Sequence, residues 1–181
     1  MLKVRTLAAS VTNLSDARYF ASYGVDWITF PSSRQSDNLS AIKEIIEWCE
    51  GPQFAVELDE VDEHFASFVA EELDVQGFVV DHKWLQNDRM KQVLWFNPNE
   101  EVDLSDDSWE AIVVKPGALE TLSEGLKKKA FVDTAGLTKE EVQDLIQTHS
   151  DVGLVLYGGQ EEKVGFKSFE QQDEWIELLM D

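Results

Sequence analysis

One lysine stands at the end of an apolar run. Lys115 follows Ala111, Ile112, Val113 and Val114 and precedes Pro116 and Gly117. Partial burial at a strand end favours the neutral amine, and a neutral lysine attacks a carbonyl as a Schiff-base nucleophile. The plainer alternative is an ion pair with Asp133, Asp81 or another carboxylate. Glu57 and Asp59 share a strand face at period two, and Asp81 and His82 end the next run. Such groups could bind a metal or transfer protons, but no HxH or HExxH spacing occurs and the chain has 3 histidines. Solvated carboxylates are the simpler reading, and no metal or other cofactor is expected. Two glycine loops, Thr134-Ala135-Gly136-Leu137 and Tyr157-Gly158-Gly159, could let backbone N–H groups approach a phosphate, or could be tight turns. His64 and His149 fall in or near helical segments, and Cys49 lies on an inner helical face, where core packing is the default.

These groups can meet only if a scaffold gathers the run ends. Short apolar, β-branched runs recur at Lys3–Leu7, Trp27–Phe30, Phe54–Leu58, Gly77–Val80, Val93–Phe96, Ala111–Val114, Ala130–Val132 and Gly153–Leu156. Helical spacing fills several gaps: Leu14–Tyr23, capped by Thr12 or Asn13, then Asn38–Glu50 and Val61–Leu73. Thr138 with Glu141, and Ser168 with Gln171, are capping-box patterns opening two more helices. Strand and helix repeated eight times predict a compact (βα)8 barrel of the TIM type, one domain over 1–181. Units 4 and 5 are shortened: Trp84–Gln92 and Asn97–Glu110 hold little or no helix, and polar Asn97–Asp107 reads as a loop with a strand edge exposed nearby. An open doubly wound sheet is the rival, but no dinucleotide or P-loop fingerprint follows the first strand. In a barrel the chemistry lies at the C-terminal strand ends, and phosphate commonly sits between the seventh and eighth loops.

Composition agrees with a packed domain. The chain has 181 residues, 43% hydrophobic and 10% aromatic, enough for a core. Its net charge of −21 disfavours nucleic acid and anionic membranes as partners. A lone cysteine, no membrane-length apolar run and no signal-peptide core between Met1 and Ala9 predict a soluble, cytoplasmic protein of unknown oligomeric state.

Several segments resemble phosphoribosylanthranilate isomerase of tryptophan biosynthesis. Ala9-Ser10-Val11-Thr12-Asn13-Leu14-Ser15-Asp16-Ala17 is similar to that family's Cys-Gly-Ile-Thr-Asn segment and following Leu-x-Asp-Ala. Pro31-Ser32-Ser33-Arg34 resembles its Pro-x-Ser-Pro-Arg loop, and Ala135-Gly136-Leu137-Thr138 its Gly-Gly-Leu phosphate loop. Gly158-Gly159 with Val164-Gly165-Phe166-Lys167 is similar to the stretch leading into its last helix, while residues 40–110 match faintly. The resemblance implies a (βα)8 barrel, phosphate on Gly136, Leu137, Gly158 and Gly159, and a substrate carboxylate on Arg34. The family's reaction is an Amadori rearrangement, in which an acid opens a furanose and a base takes the C2 proton. Its cysteine base and aspartic acid correspond to Ala9 and Lys115 here, which implies weak, altered or lost isomerase activity on a retained sugar-phosphate site. Alternatives are an active isomerase using a replacement group such as Asp133, a Lys115 Schiff-base lyase, or a non-catalytic interaction protein with an acidic surface.

Overall fold

Inward and outward side chains alternate along every well-described strand, and that alternation builds the molecule. The computed structural model describes residues 2–58, 62–81, 91–95, 109–158, 161–163, 166–167 and 169–180. Its elements run β1 (Thr6–Ala9), α1 (Leu14–Tyr23), β2 (Trp27–Ser32), α2 (Leu39–Glu47), β3 (Gln53–Leu58), α3 (Glu63–Glu72), β4 (Gly77–Val80), β5 (Lys91–Trp95) and β6 (Ala111–Val114). A 3-10 helix (Pro116–Thr121) and α4 (Glu124–Lys127) follow, then β7 (Ala130–Asp133), α5 (Lys139–Thr148), β8 (Gly153–Tyr157), the hairpin β9 (Glu161–Lys163) and β10 (Phe166–Lys167), and α6 (Glu170–Leu179). Strands β1 to β8 pair in order, all parallel, and β8 closes on β1. The predicted (βα)8 barrel is therefore the fold.

One apolar cluster fills the interior: Leu7, Ala9, Trp27, Ala55, Val79, Val93, Ala111, Val113, Phe131 and Val155. A second joins the outward strand faces, such as Ile28, Val56, Ile112 and Leu154, to Phe20, Ile46, Val69 and Val142 of the helices. The helices start where expected. Asn13 caps α1 by accepting from the Asp16 N–H at 2.9 Å, and Thr138 and Glu141 form the reciprocal box on α5.

Three boundaries differ for physical reasons. The first strand is Thr6–Ala9 rather than Lys3–Leu7, because Arg5 turns away to donate to the carbonyls of Ala130 (3.2 Å) and Asp151 (3.1 Å) at the barrel floor. The alanines that continue it are poor strand formers alone, but Ala9 fits the narrow interior and Ala8 the packed layer under the helices. β2 runs past Phe30, pairing Pro31 with Glu57 and Ser32 with Leu58 although proline brings no N–H. The last helix is capped by Phe169, without a side-chain bond, and begins at Glu170; Ser168 of the expected box lies outside the described residues.

No edge is exposed at the fifth strand: β5 pairs with both β4 and β6. The segments read as shortened, Trp84–Gln92 and Asn97–Glu110, fall largely outside the described residues. An unforeseen short unit follows β6, where one 3-10 helix and a four-residue α4 replace a full helix.

Candidate active site at the barrel mouth

β7 and β8 each extend one residue beyond their apolar runs, and the added residues, Asp133 and Tyr157, point with Phe131 and Val155 toward the barrel axis. Lys115 likewise follows Val113, which packs in the interior, while Val114 faces the helices. The three converge. Lys115 Nζ donates to Asp133 Oδ2 at 2.5 Å, and the Tyr157 hydroxyl (2.7 Å) and Ala135 N–H (2.9 Å) donate to Oδ1. The ion pair expected of Lys115 is thus formed, with Asp133.

Burial works against the Asp133 charge, but the bond from Lys115, those from Ala135 and Tyr157, and the ammonium's field outweigh it, so the carboxyl sits below its ordinary range. Burial, the bond to Asp133 and the charges of Asp133 and Glu57 push the Tyr157 phenol far up, so it remains a donor. A depressed carboxyl contributes stability that is complete above its unfolded value, about 3.9, and is lost as pH falls through the folded value. Lys115→Met leaves burial opposed only by neutral donors, so the Asp133 value rises and the acid-induced loss begins at higher pH. Because Lys115 is 56% exposed, we expect roughly 1–2 kcal/mol lost near pH 7, below the ~3–5 kcal/mol of a fully buried pair. Urea unfolding of both proteins from pH 3 to 8 measures this; coincident curves would show that the pair carries no stability.

A second polar group centres on Glu57 of β3, four strands from β7 in either direction, and joins it to the ends of β1 and β2. Ser10, just past β1, has a positive φ of 53°. Its N–H donates to Glu57 Oε1 at 2.7 Å and its hydroxyl to Oε2 at 2.8 Å. The buried Thr29 hydroxyl also donates to Oε1. Glu57 is therefore a held carboxylate, where the sequence reading favoured a merely solvated one. Ala9 is 1% exposed in the interior, in register with Tyr157; Tyr157 and Trp95 pack on the same inner cluster. Trp95 and Tyr157 carried no assigned role in the sequence; their period-two spacing from Val93 and Val155 was the available signal.

The other site residues are dispersed. Arg34 pairs with Asp62, whose carboxylate also accepts the His64 and Phe65 amides at the start of α3. Gly136 has φ +83° in a turn closed by the Leu137 N–H to the Thr134 carbonyl at 3.0 Å, a position that favours glycine. Ala135 and Thr138 also use their N–H groups inside this loop, leaving that of Gly136 without a partner among the described residues. Gly158 ends the described part of the next loop; Gly159, Asp59 and His82 lie outside it. Asp81 is exposed after β4, His64 is exposed on α3, and His149 stands 3.6 Å from Glu120. Cys49 is buried in the outer core, where burial pushes its thiol up. Among the described residues no group of three or more His, Cys, Asp or Glu side chains could hold a metal, and no helix is long and apolar enough to cross a membrane.

No protein-family model and no curated protein matches this sequence. Solved structures do match in fold. Phosphoribosyl anthranilate isomerase from Thermus thermophilus superposes with a TM-score of 0.70 at 16% identity, over 97% of this chain and 98% of that one. A phosphoribosyl anthranilate isomerase in complex with reduced 1-(o-carboxyphenylamino)-1-deoxyribulose 5-phosphate gives 0.71 at 16%, with the same coverage. Orotidine 5'-monophosphate decarboxylase from Methanocaldococcus jannaschii, complexed with the inhibitor BMP, gives 0.57 at 15% over the whole of both chains. The (βα)8 barrel expected from the sequence is thus a fold shared with these phosphoribosyl anthranilate isomerases, at 16% identity.

Proposed function

We propose that this barrel binds a small phosphorylated ligand of the sugar-phosphate type at its mouth, and that it carries out the phosphoribosylanthranilate isomerase reaction weakly or not at all. The carrying observation is the Lys115–Asp133 pair, bonded also by Tyr157, whose partner in register on β1 is Ala9. An Amadori rearrangement needs an acid and a base poised on opposite sides of the sugar. The Ala9 methyl exchanges no proton. Lys115 is an ammonium bound to a carboxylate, a weak acid for ring opening. Asp133, surrounded by donors and held ionised, is a poor replacement base. The same pairing speaks against the Schiff-base lyase, whose lysine must be neutral to attack.

Binding has more support than turnover. The Lys115 ammonium has three donors and gives one to Asp133, and the Gly136 N–H stands at the neighbouring strand end. Those groups, with Gly158 and Gly159 of the next loop, are the proposed anchors for phosphate; the Leu137 N–H that the resemblance implies beside them is already given to the Thr134 carbonyl, and Arg34 would serve a ligand carboxylate only by leaving Asp62.

Thermal unfolding in inorganic phosphate or ribose 5-phosphate, against acetate at matched ionic strength, tests the reading. A ligand at one hundred times its Kd stabilises by about 2.7 kcal/mol, which for a chain of this size raises Tm by roughly 5–10 °C. We expect that rise with ribose 5-phosphate and no imine trapped by borohydride. Equal Tm in all buffers would remove the ligand site, and a trapped adduct on Lys115 would replace the proposal with the lyase.

A further inference from the structure

We infer that Glu57 is a specificity-determining residue of this mouth: it accepts a hydroxyl of the ligand, and with Asp133 it selects a polyhydroxylated group over an aryl carboxylate. The inference rests on the mouth being the ligand site, and it follows from the hydrogen-bond capacity left there. A carboxylate has about four acceptor positions. On Glu57, Oε1 already accepts two donors, the Ser10 N–H and the Thr29 hydroxyl, whereas Oε2 accepts only the Ser10 hydroxyl. Asp133 repeats the pattern: Oδ1 takes Tyr157 and Ala135, and Oδ2 takes Lys115 alone. Each carboxylate is thus fixed by one filled oxygen; half-buried Glu57 offers an acceptor position on the other, whereas Asp133, 3% exposed, is covered by Lys115 and adds its charge.

The two are placed to act on one small molecule. β3 and β7 are diametrically opposed in the closed ring, and the Glu57 charge is close enough to raise the Tyr157 phenol. The half-buried rings of Trp95 and Tyr157 pack on the inner cluster and supply apolar surface suited to the C–H faces of a sugar. A hydroxyl donor fits the open position on Glu57, and hydroxyls that must also accept can use the remaining protons of Lys115.

An aryl carboxylate fits badly. Two carboxylates, Glu57 and Asp133, and one ammonium leave the mouth with an excess negative charge. The arginine that could offset a ligand carboxylate, Arg34, is held by Asp62. A second anion facing Glu57 would meet repulsion where a hydroxyl meets an acceptor.

Calorimetric titration of the wild-type chain with ribose, ribose 5-phosphate, inorganic phosphate and anthranilate tests this, alongside the isosteric Glu57→Gln variant. A charged acceptor lost to a neutral one predicts about tenfold to a hundredfold weaker binding of both sugars, with inorganic phosphate unchanged and anthranilate weaker than ribose in the wild type. Sugar binding by Glu57→Gln equal to the wild type, no sugar binding by the wild type, or anthranilate binding more tightly than ribose would each overturn the inference. The wild-type ranking of ribose and anthranilate decides the matter even if the variant does not fold. If ribose binds as tightly as ribose 5-phosphate, the phosphate part of the proposed function fails while the role of Glu57 stands.

Discussion

Gly77→Ala is expected to remove about 3 kcal/mol of stability, a fall in Tm of roughly 6–12 °C for a chain of this length. Gly77 faces the interior at the start of β4, in register with Lys91 of β5. A Cβ built there lies 2.8 Å from the Lys91 carbonyl oxygen and 3.3 Å from its Cβ. The obstacle is backbone, so no rotamer change relieves it; β5 must separate from β4, with which it pairs along the strand. The lower interior has no slack to absorb this. Lys91 Nζ lies 5.6 Å from the Trp27 ring centroid and bonds Gln53 Oε1 and Glu110 Oε1, both at 2.7 Å. Gly117→Ala is the control, since a Cβ there meets nothing within 4 Å and φ is not positive, so it should be neutral or slightly stabilising. Thermal unfolding of the two variants decides it: falls within 2 °C of each other would mean that the lower layer is loosely packed.

That floor was not legible in the sequence, and the reason is informative. Periodicity marks a residue as apolar or polar, so it found the strands Gly77–Val80 and Gly153–Leu156. It gives no sign that a glycine is inward-facing because a neighbouring strand occupies the space of its side chain. Nor does it show that Arg5 leaves the strand pattern to sit over Phe131, 4.9 Å from the ring centroid. The mouth was half legible. Lys115 could be placed because one charge at the end of an alternating run has a direction, and Asp133 was among its nearest acidic candidates. Glu57 was visible but undervalued, because the three donors that hold it come from Ser10 and Thr29, residues 47 and 28 positions away in the chain. Arg34 resembled a ligand arginine by local motif, and its attachment to Asp62 across a loop could not be read from that motif.

Ala9→Cys combined with Lys115→Asp is expected to raise phosphoribosylanthranilate isomerase turnover by at least ~10²-fold over the parent chain, since each positioned acid or base commonly contributes ~10²–10⁴. The base half is steric and simple: position 9 points into the mouth beside Tyr157, and a thiol there reaches upward from the same Cβ. The acid half depends on Asp133. Replacing Lys115 removes the ammonium from Oδ2 and sets a second carboxylate near the first, where two like charges cannot both ionise easily; one retains its proton at neutral pH. A shared proton between carboxylates is what a ring-opening acid requires, and the present ion pair abolishes it. The same exchange takes a cation from the proposed phosphate anchor, so KM should rise while kcat carries the gain. The two substitutions should be strongly non-additive, because a base without an acid leaves the ring closed. A steady-state assay of the parent, both single variants and the double variant measures this. A folded double variant no faster than its parent would break the correspondence of Ala9 and Lys115 with the family's proton-transfer pair, and parent turnover already near ~10 s⁻¹ would mean that Asp133 or Glu57 performs the chemistry instead.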